Sequence, residues 1–283
     1  MSKIIVTGGA GFIGTHLVNN LRDLGHDVQI VDIKLGSDND IRNLYSLKQL
    51  FIGAEYVFHL AALVSVQYSI EHPEETNTTN LDGTLNVIIA SKEVGVKRVI
   101  FSSTCAIYGD PENLPVNEDA KASPLSPYSM QKLASEEYLK LFSKIYNLET
   151  VSLRYFNVYG HGQSAIGSYA SVIPKFLEQK KLGRPLTIVG DGKQTRDFVH
   201  VSDVVRANIL AMESNKVGNG EIINIGSGKE SSVNQIAEYF GGEKEYLPAR
   251  IEPRRAFGDV SKAKLLLDWE PKIILEEGIK KLL

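Results

Sequence analysis

The sequence predicts an α/β protein: a doubly wound parallel sheet with helices on both faces and a smaller, interleaved C-terminal unit. Three observations carry this. Short β-branched runs alternate with longer amphipathic stretches through most of the chain. A glycine-rich turn joins the first run to the first helical stretch, and an acid closes the second run. After Tyr155 the alternation loosens, then resumes, then ends in shorter segments.

Residues 3–7, 27–31, 56–59, 98–102, 150–154 and 222–225 read as buried strands, because each is brief, β-branched and bounded by turn residues. Helical patterns over 11–24, 74–94, 128–146 and 201–212 lie between them. Ser126 followed by Pro127 marks one helix start, with a capping hydroxyl and then a residue that needs no N–H partner. Residues 160–192 are rich in glycine and polar residues, with a short helical pattern over 172–181, and 226–283 read as short helices and turns. The expected division is one unit of residues 1–157 and 197–225 and a second of 158–196 and 226–283.

Composition narrows the function classes. The 283 residues carry a net charge of −3, without the basic excess of a nucleic-acid binder. No apolar run is long enough to span a bilayer, so no membrane partner is expected. The N-terminal apolar stretch is too short for a signal-peptide core. A lone cysteine, Cys105, cannot form an intrachain disulfide and reads as a small buried filler. A cytoplasmic, enzyme-like protein is expected, with no metal-ligand cluster.

Gly8, Gly11 and Gly14 fall between the first strand and the first helix. Residues without Cβ let backbone approach a pyrophosphate, and the helix N-terminus adds a positive dipole. Asp32, eighteen residues after Gly14, closes the second strand, where it can bind a ribose 2′-hydroxyl and repel a 2′-phosphate. This points to NAD rather than NADP. Lys34 reads as a solvated loop charge.

Tyr128 and Lys132 share a helix face at i and i+4. A phenol ionises near pH 10. An ammonium beside it, with a positive nicotinamide ring, favours the phenolate. Such a tyrosine can take a proton from a sugar hydroxyl while hydride leaves to the cofactor. Ser102, Ser103 and Thr104 end the fourth strand, where open α/β sheets bind ligands, and Thr104 can hydrogen-bond the reacting oxygen. Strand-end capping is the competing role for Ser102 and Ser103, and a strand-end structural role is assigned to His59.

Together the glycine pattern, Asp32, His59-Leu60-Ala61-Ala62, Ser102–Thr104 with Tyr108-Gly109, and Tyr128 with Lys132 resemble the extended short-chain dehydrogenase/reductases. The branch is the NAD-dependent nucleotide-sugar epimerases and dehydratases. The segments Asn80 to Asn86, Arg154 to Gly160, Gly190 to Val201, Asn224-Ile225-Gly226 and Asp268 to Pro271 extend the resemblance through nearly the whole chain.

The resemblance implies a Rossmann-type first unit that binds NAD and a second that binds a nucleotide sugar. It places Gly8, Gly11, Phe12, Ile13, Gly14, Asp32, Leu60, Ala61, Ala62, Asn80, Ser102, Ser103 and Tyr155 against the cofactor. Asp40 and Ile41 match a pair beside adenine. Tyr128 is the implied acid/base, Lys132 lowers its pKa and bonds the nicotinamide ribose, and Thr104 meets the sugar 4-hydroxyl. Ser65, Asn157, Arg196 and Arg250 fall on the substrate side, where Arg suits a diphosphate. A salt bridge to Asp197 is the competing role for Arg196.

Relatives that eliminate water place Asp-Glu directly after the threonine, and decarboxylating relatives also carry a Glu there. Here those positions are Cys105 and Ala106. The resemblance therefore implies a UDP-sugar 4-epimerase for UDP-glucose and UDP-galactose or their N-acetyl forms. A dehydratase, decarboxylase or 4-reductase, or a non-catalytic NAD-binding protein, is the alternative. Ala256 or Phe257 falls at the position that admits or blocks an N-acetyl group. Relatives also insert a further strand where this chain has only residues 33–39. A homodimer is implied, paired through the helices over 74–94 and 128–146, with Leu133, Tyr138, Leu139 and Phe142 as candidate contacts.

Overall fold

The computed structural model describes residues 1–165, 171–249 and 254–283. Strand β1 (Lys3–Thr7) buries four of its residues completely or nearly so and turns through the glycines into α1 (Phe12–Asp23). That helix presents Leu17, Val18 and Leu21 to the sheet. β2 (Asp27–Val31) follows. Two 3-10 turns, Ile33–Leu35 and Ser37–Asn39, then fill the short connection. No strand forms in it, and β2 is the sheet edge.

Next come α2 (Leu44–Leu50), capped by Asn43, and β3 (Tyr56–His59). The helix expected over 74–94 is interrupted. It comprises α3 (Val66–Glu71) just upstream, α4 (Pro73–Asn77), a π-helical turn Thr78–Asp82 and α5 (Gly83–Val94). Two contacts account for the π turn. Asn80 reaches back to the chain at Leu63, and Gly83 lies so close to Ile41 that a Cβ would stand 2.8 Å from its Cδ1. Periodicity in sequence cannot register a one-residue bulge of this kind.

β4 (Arg98–Thr104) runs two residues further than expected, through the hydroxyl cluster. After the 3-10 turn Cys105–Tyr108, α6 (Pro127–Tyr146) starts at a reciprocal capping box between Ser126 and Ser129. β5 (Glu149–Tyr155) and β6 (Asn157–Tyr159) follow, then α7 (Val172–Lys181), β7 (Leu186–Val189), β8 (Thr195–Arg196), β9 (Phe198–His200), α8 (Val201–Glu213) and β10 (Asn219–Ile225). The last stretch holds β11 (Ser231–Ser232), α9 (Val233–Phe240), β12 (Lys244–Leu247), α10 (Ser261–Leu267) and α11 (Leu275–Lys280). β11 and β12 depart from the helices and turns expected there. They exist by pairing with β8 and β7, which are distant in sequence.

Among the described residues the main sheet has the order β10-β5-β4-β3-β1-β2, with every pairing parallel. One core lies under α1, α8 and α10, and includes Leu17, Val204 and Ile223. The other lies under α2, α5 and α6, and includes Leu47, Val87 and Phe101. A third gathers Phe176, Ile188, Ile236 and Phe240 near the C-terminus. Leu267 and Trp269 reach into the first core, where the Trp269 indole N–H donates to the Asp203 carbonyl at 2.9 Å. On α6, Leu139 is buried in its own core and Phe142 leans on it, so of the four candidate dimer contacts these two serve the monomer.

Arg98 ties the lower end of the sheet together. Its buried guanidinium donates to the carbonyls of Ala211, Met212, Ser214 and Val217 and to Glu149. Removing it strands four carbonyls away from water. Arg98→Met is expected to cost about 3 kcal/mol or more in urea denaturation. Lys140→Met, which removes the exposed pair with Glu137, is expected to cost under about 0.5 kcal/mol.

Candidate active site

The cofactor cleft is set by close backbone approach. Gly8 has φ +71°, and a Cβ there would stand 2.6 Å from the Ala61 nitrogen. A Cβ on Gly14 would stand 2.2 Å from the Gly8 carbonyl oxygen. Side chains at these positions would push the turn off the β3 exit and α1 off the turn. Asp32 accepts from the Ala10 N–H with one oxygen and the Lys34 N–H with the other, both at 3.0 Å.

A cleft of about 480 Å³ opens between these elements. Gly8, Gly11, Phe12, Ile13, Gly14, Asp32, Asp40, Ile41, Leu60, Ala61, Ala62 and Ser102 line it. Lys34, Arg42, Glu75 and Thr79 line it too, although the sequence reading assigned them no place there. Arg42 grips both oxygens of Asp40, at 2.6 Å for the shortest contact, and holds that carboxyl below its usual range. An acid and a base two residues apart in a loop follow no periodicity, so only the spacing Asp40-Ile41-Arg42 hinted at the pair.

His59 is wholly buried in a directed chain of hydrogen bonds. Thr84 donates to the Asn80 carbonyl at 2.6 Å, so its oxygen accepts from His59 Nε2 at 2.8 Å. His59 Nδ1 then accepts from the Thr7 hydroxyl at 2.7 Å, and Thr7 in turn accepts from the Ala61 N–H. This assigns the proton to Nε2 and leaves both ring nitrogens engaged within the fold. Asn80, also buried, donates to and accepts from Leu63 and donates to Gln131. It shapes the loop after β3 that walls the cleft.

Tyr128 and Lys132 project from the first turns of α6. The Tyr128 backbone N–H donates to the buried Ser69 hydroxyl, and the Thr104 hydroxyl lies near enough to its phenol to act on its pKa. Burial raises the Tyr128 pKa, and the Thr104 hydrogen bond opposes this. Burial brings Lys132 down to about 7, and Glu136 opposes that. The ammonium donates to the Ser102 carbonyl at 2.7 Å and lies over the Phe101 ring. In the chain alone the phenol is therefore held protonated.

The remaining expected residues fall in several places. Ser103 is buried and donates to Glu136, away from the cleft, for which strand-end anchoring is the role. The Tyr155 hydroxyl is buried against Asn208. Ser65 caps α3. Asn157 donates to the Asp197 carbonyl at 3.0 Å, and Arg196 to the Thr195 carbonyl at 2.8 Å. The Asp197 carboxylate accepts from Ser227, Gly228 and Gly258. Arg250 lies outside the described residues.

Residues 4–226 match the model of the NAD dependent epimerase/dehydratase family. The chain belongs to that family. It is 40% identical to a putative UDP-glucose 4-epimerase of Methanocaldococcus jannaschii, over 98% of this chain and 96% of that one. Its structure is similar to the UDP-glucose 4-epimerase of Thermotoga maritima solved with UDP-glucose, with a TM-score of 0.92, 41% identity, and 98% and 96% of the two chains covered. It is also similar to the UDP-glucuronic acid 4-epimerase of Bacillus cereus solved with UDP-glucuronic acid and NAD, with a TM-score of 0.87, 32% identity and the same coverage.

NAD is the cofactor of this enzyme family, and the cleft fits it on its own chemistry. The glycine cradle has no room for side chains, the α1 N-terminus offers free N–H groups to a pyrophosphate, and Asp32 offers a carboxylate to a ribose.

The buried His59 makes stability depend on pH. Burial depresses its pKa from 6.5 to about 3, so the unfolded chain binds a proton in that window that the folded chain refuses. Stability from the neutral ring is complete above pH 6.5 and is lost as pH falls toward 3. The stability advantage of wild type over His59→Gln is expected to shrink across that window by on the order of 2 to 4 kcal/mol, read by urea denaturation at each pH.

Proposed function

We propose that the chain is a UDP-sugar 4-epimerase that interconverts UDP-glucose and UDP-galactose. The observation that carries this is the meeting of Thr104 and Tyr128 at the end of β4, followed by Cys105 and Ala106. Neither of those two can serve as the acid that elimination or decarboxylation calls for, so the 4-hydroxyl is the group the site is equipped to work on.

NAD supplies a hydride acceptor and donor at the sugar C4, so that configuration is lost at a 4-keto stage and then reset. The chain's own residues handle the proton. Tyr128 takes it from the 4-hydroxyl and later returns it, while Thr104 hydrogen-bonds the same oxygen. Tyr128 is held protonated in the chain alone; the Lys132 ammonium would lower its pKa toward a working range, and a bound positive nicotinamide ring would add to this. Arg196, Arg250 and Asn157 hold the diphosphate, and Ser65 faces the sugar.

The enzyme works as a cytoplasmic homodimer in this reading. Its NAD dependence and single cysteine support the compartment. Met130, Tyr138, Leu141 and Ile145 support the dimer: they form an exposed apolar stripe along α6 at spacings of three, four and eight residues. Light scattering at micromolar concentration is expected to give a dimer, and Leu141→Glu a monomer.

Purified protein is expected to convert UDP-glucose to UDP-galactose without added NAD, with product and substrate equal in mass when read by NMR and mass spectrometry. A product of different mass points to another reaction of the family. Tyr128→Phe is expected to lower kcat by about 100-fold or more while keeping its bound NAD. Full activity in that variant contradicts the proton-transfer role.

A further inference from the structure

Three consecutive residues of β4 meet three residues of α6 spaced four apart. Thr104 meets Tyr128, the Ser102 carbonyl meets Lys132, and between them Ser103 meets Glu136. The first two pairs belong to the proposed chemistry. The third has no part in it, yet it is the most deeply buried.

Glu136 is wholly buried and accepts three hydrogen bonds. Ser103 donates to Oε1 at 2.6 Å, and Arg154 donates to Oε1 at 2.9 Å and to Oε2 at 2.7 Å. Ser103 and Arg154 are register partners on β4 and β5. One carboxylate therefore bolts α6 to the ends of two neighbouring strands. Arg154 also lies over the Tyr108 ring at 4.7 Å, which ties the turn after Thr104 into the same assembly.

We infer that Glu136 is a positioning residue for the reaction: its clamp on Ser103 and Arg154 holds α6 in register with the end of β4, and so keeps Tyr128 on Thr104 and Lys132 on Ser102. The inference rests on the proposed 4-epimerase activity. A helix pinned at this point cannot slide relative to the strand, and a shift of 1 Å between a proton acceptor and its target is enough to cost a large part of the rate.

Glu136 has a second effect. The titratable groups that interact with Lys132 are Glu136 on α6 and His59 on β3, and Arg154 on β5 shares the Glu136 carboxylate. His59 is neutral at working pH. Glu136 is the acid of the set, and it opposes the loss of the Lys132 proton. With the carboxylate gone, Arg154 is left uncompensated and the ammonium titrates at lower pH.

The test compares Glu136→Gln, Glu136→Asp and Ser103→Ala with wild type as NAD-loaded enzymes, reading KM, kcat and its pH profile with UDP-glucose. Glu136→Gln is expected to lose about 100-fold in kcat, with KM within about threefold, and to show its alkaline limb at lower pH. Glu136→Asp restores the limb but not kcat, because a side chain one methylene shorter keeps the charge and loses the reach to both donors. A folded Glu136→Gln with a wild-type kcat or an unmoved limb overturns the inference. Where Glu136→Gln does not fold, Ser103→Ala decides: a loss of about tenfold in kcat at unchanged KM supports the clamp, and a wild-type kcat overturns it. A wild-type enzyme without epimerase activity removes the proposed function and the inference with it, whereas an active wild type with indifferent variants removes the inference alone.

Discussion

The close approach of three backbones is the constraint on which the site depends. The turn after β1, the exit of β3 and the start of α1 meet where Gly8 touches Ala61 and Gly14 touches Gly8. Contacts of this kind exclude every side chain, so they fix the floor of the cleft without a bond of their own. Everything else in the cleft is placed relative to that floor. Asp32 is oriented by N–H groups on either side of it, and the loop after β3 is drawn in by Asn80.

Buried polar groups at the same end of the strands add directed ties to what the glycines set by contact. His59 spans from Thr7 on β1 to Thr84 on α5, so a neutral ring joins the cofactor turn to the helix behind it. Asp197, wholly buried, gathers the turn at Ser227 and Gly228 together with Gly258. Asn224 links Tyr108, Val116 and Asp259. Each joins segments far apart in sequence, and each is satisfied by partners that fix its direction. A site assembled in this way holds its geometry without depending on any one surface contact.

Much of this was legible in the sequence, for identifiable reasons. The strands of the main sheet read as short β-branched runs because parallel strands are buried on both faces. The glycine turn, Asp32, Thr104, Tyr128 and Lys132 were legible because their spacing is dictated by local geometry. What was not legible depends on distant partners. The π turn at Thr78–Asp82 comes from Asn80 and Gly83 meeting Leu63 and Ile41. β11 and β12 need β8 and β7. Arg42 enters the cleft through a loop with no period, and Ser103 turns away from it because Glu136 waits on the other side. Leu139 and Phe142 sit on α6 beside residues that are exposed, and only the packing of that helix separates the two groups.

In the proposed epimerisation hydrogen leaves the sugar C4 and returns to the same carbon, while only the hydroxyl proton passes through Tyr128. The most direct measurement follows UDP-galactose carrying deuterium at C4 in ordinary water, with the product read by NMR. Return of the same hydrogen gives UDP-glucose that keeps the deuterium at C4 with inverted configuration. Product with hydrogen from solvent at C4 contradicts it.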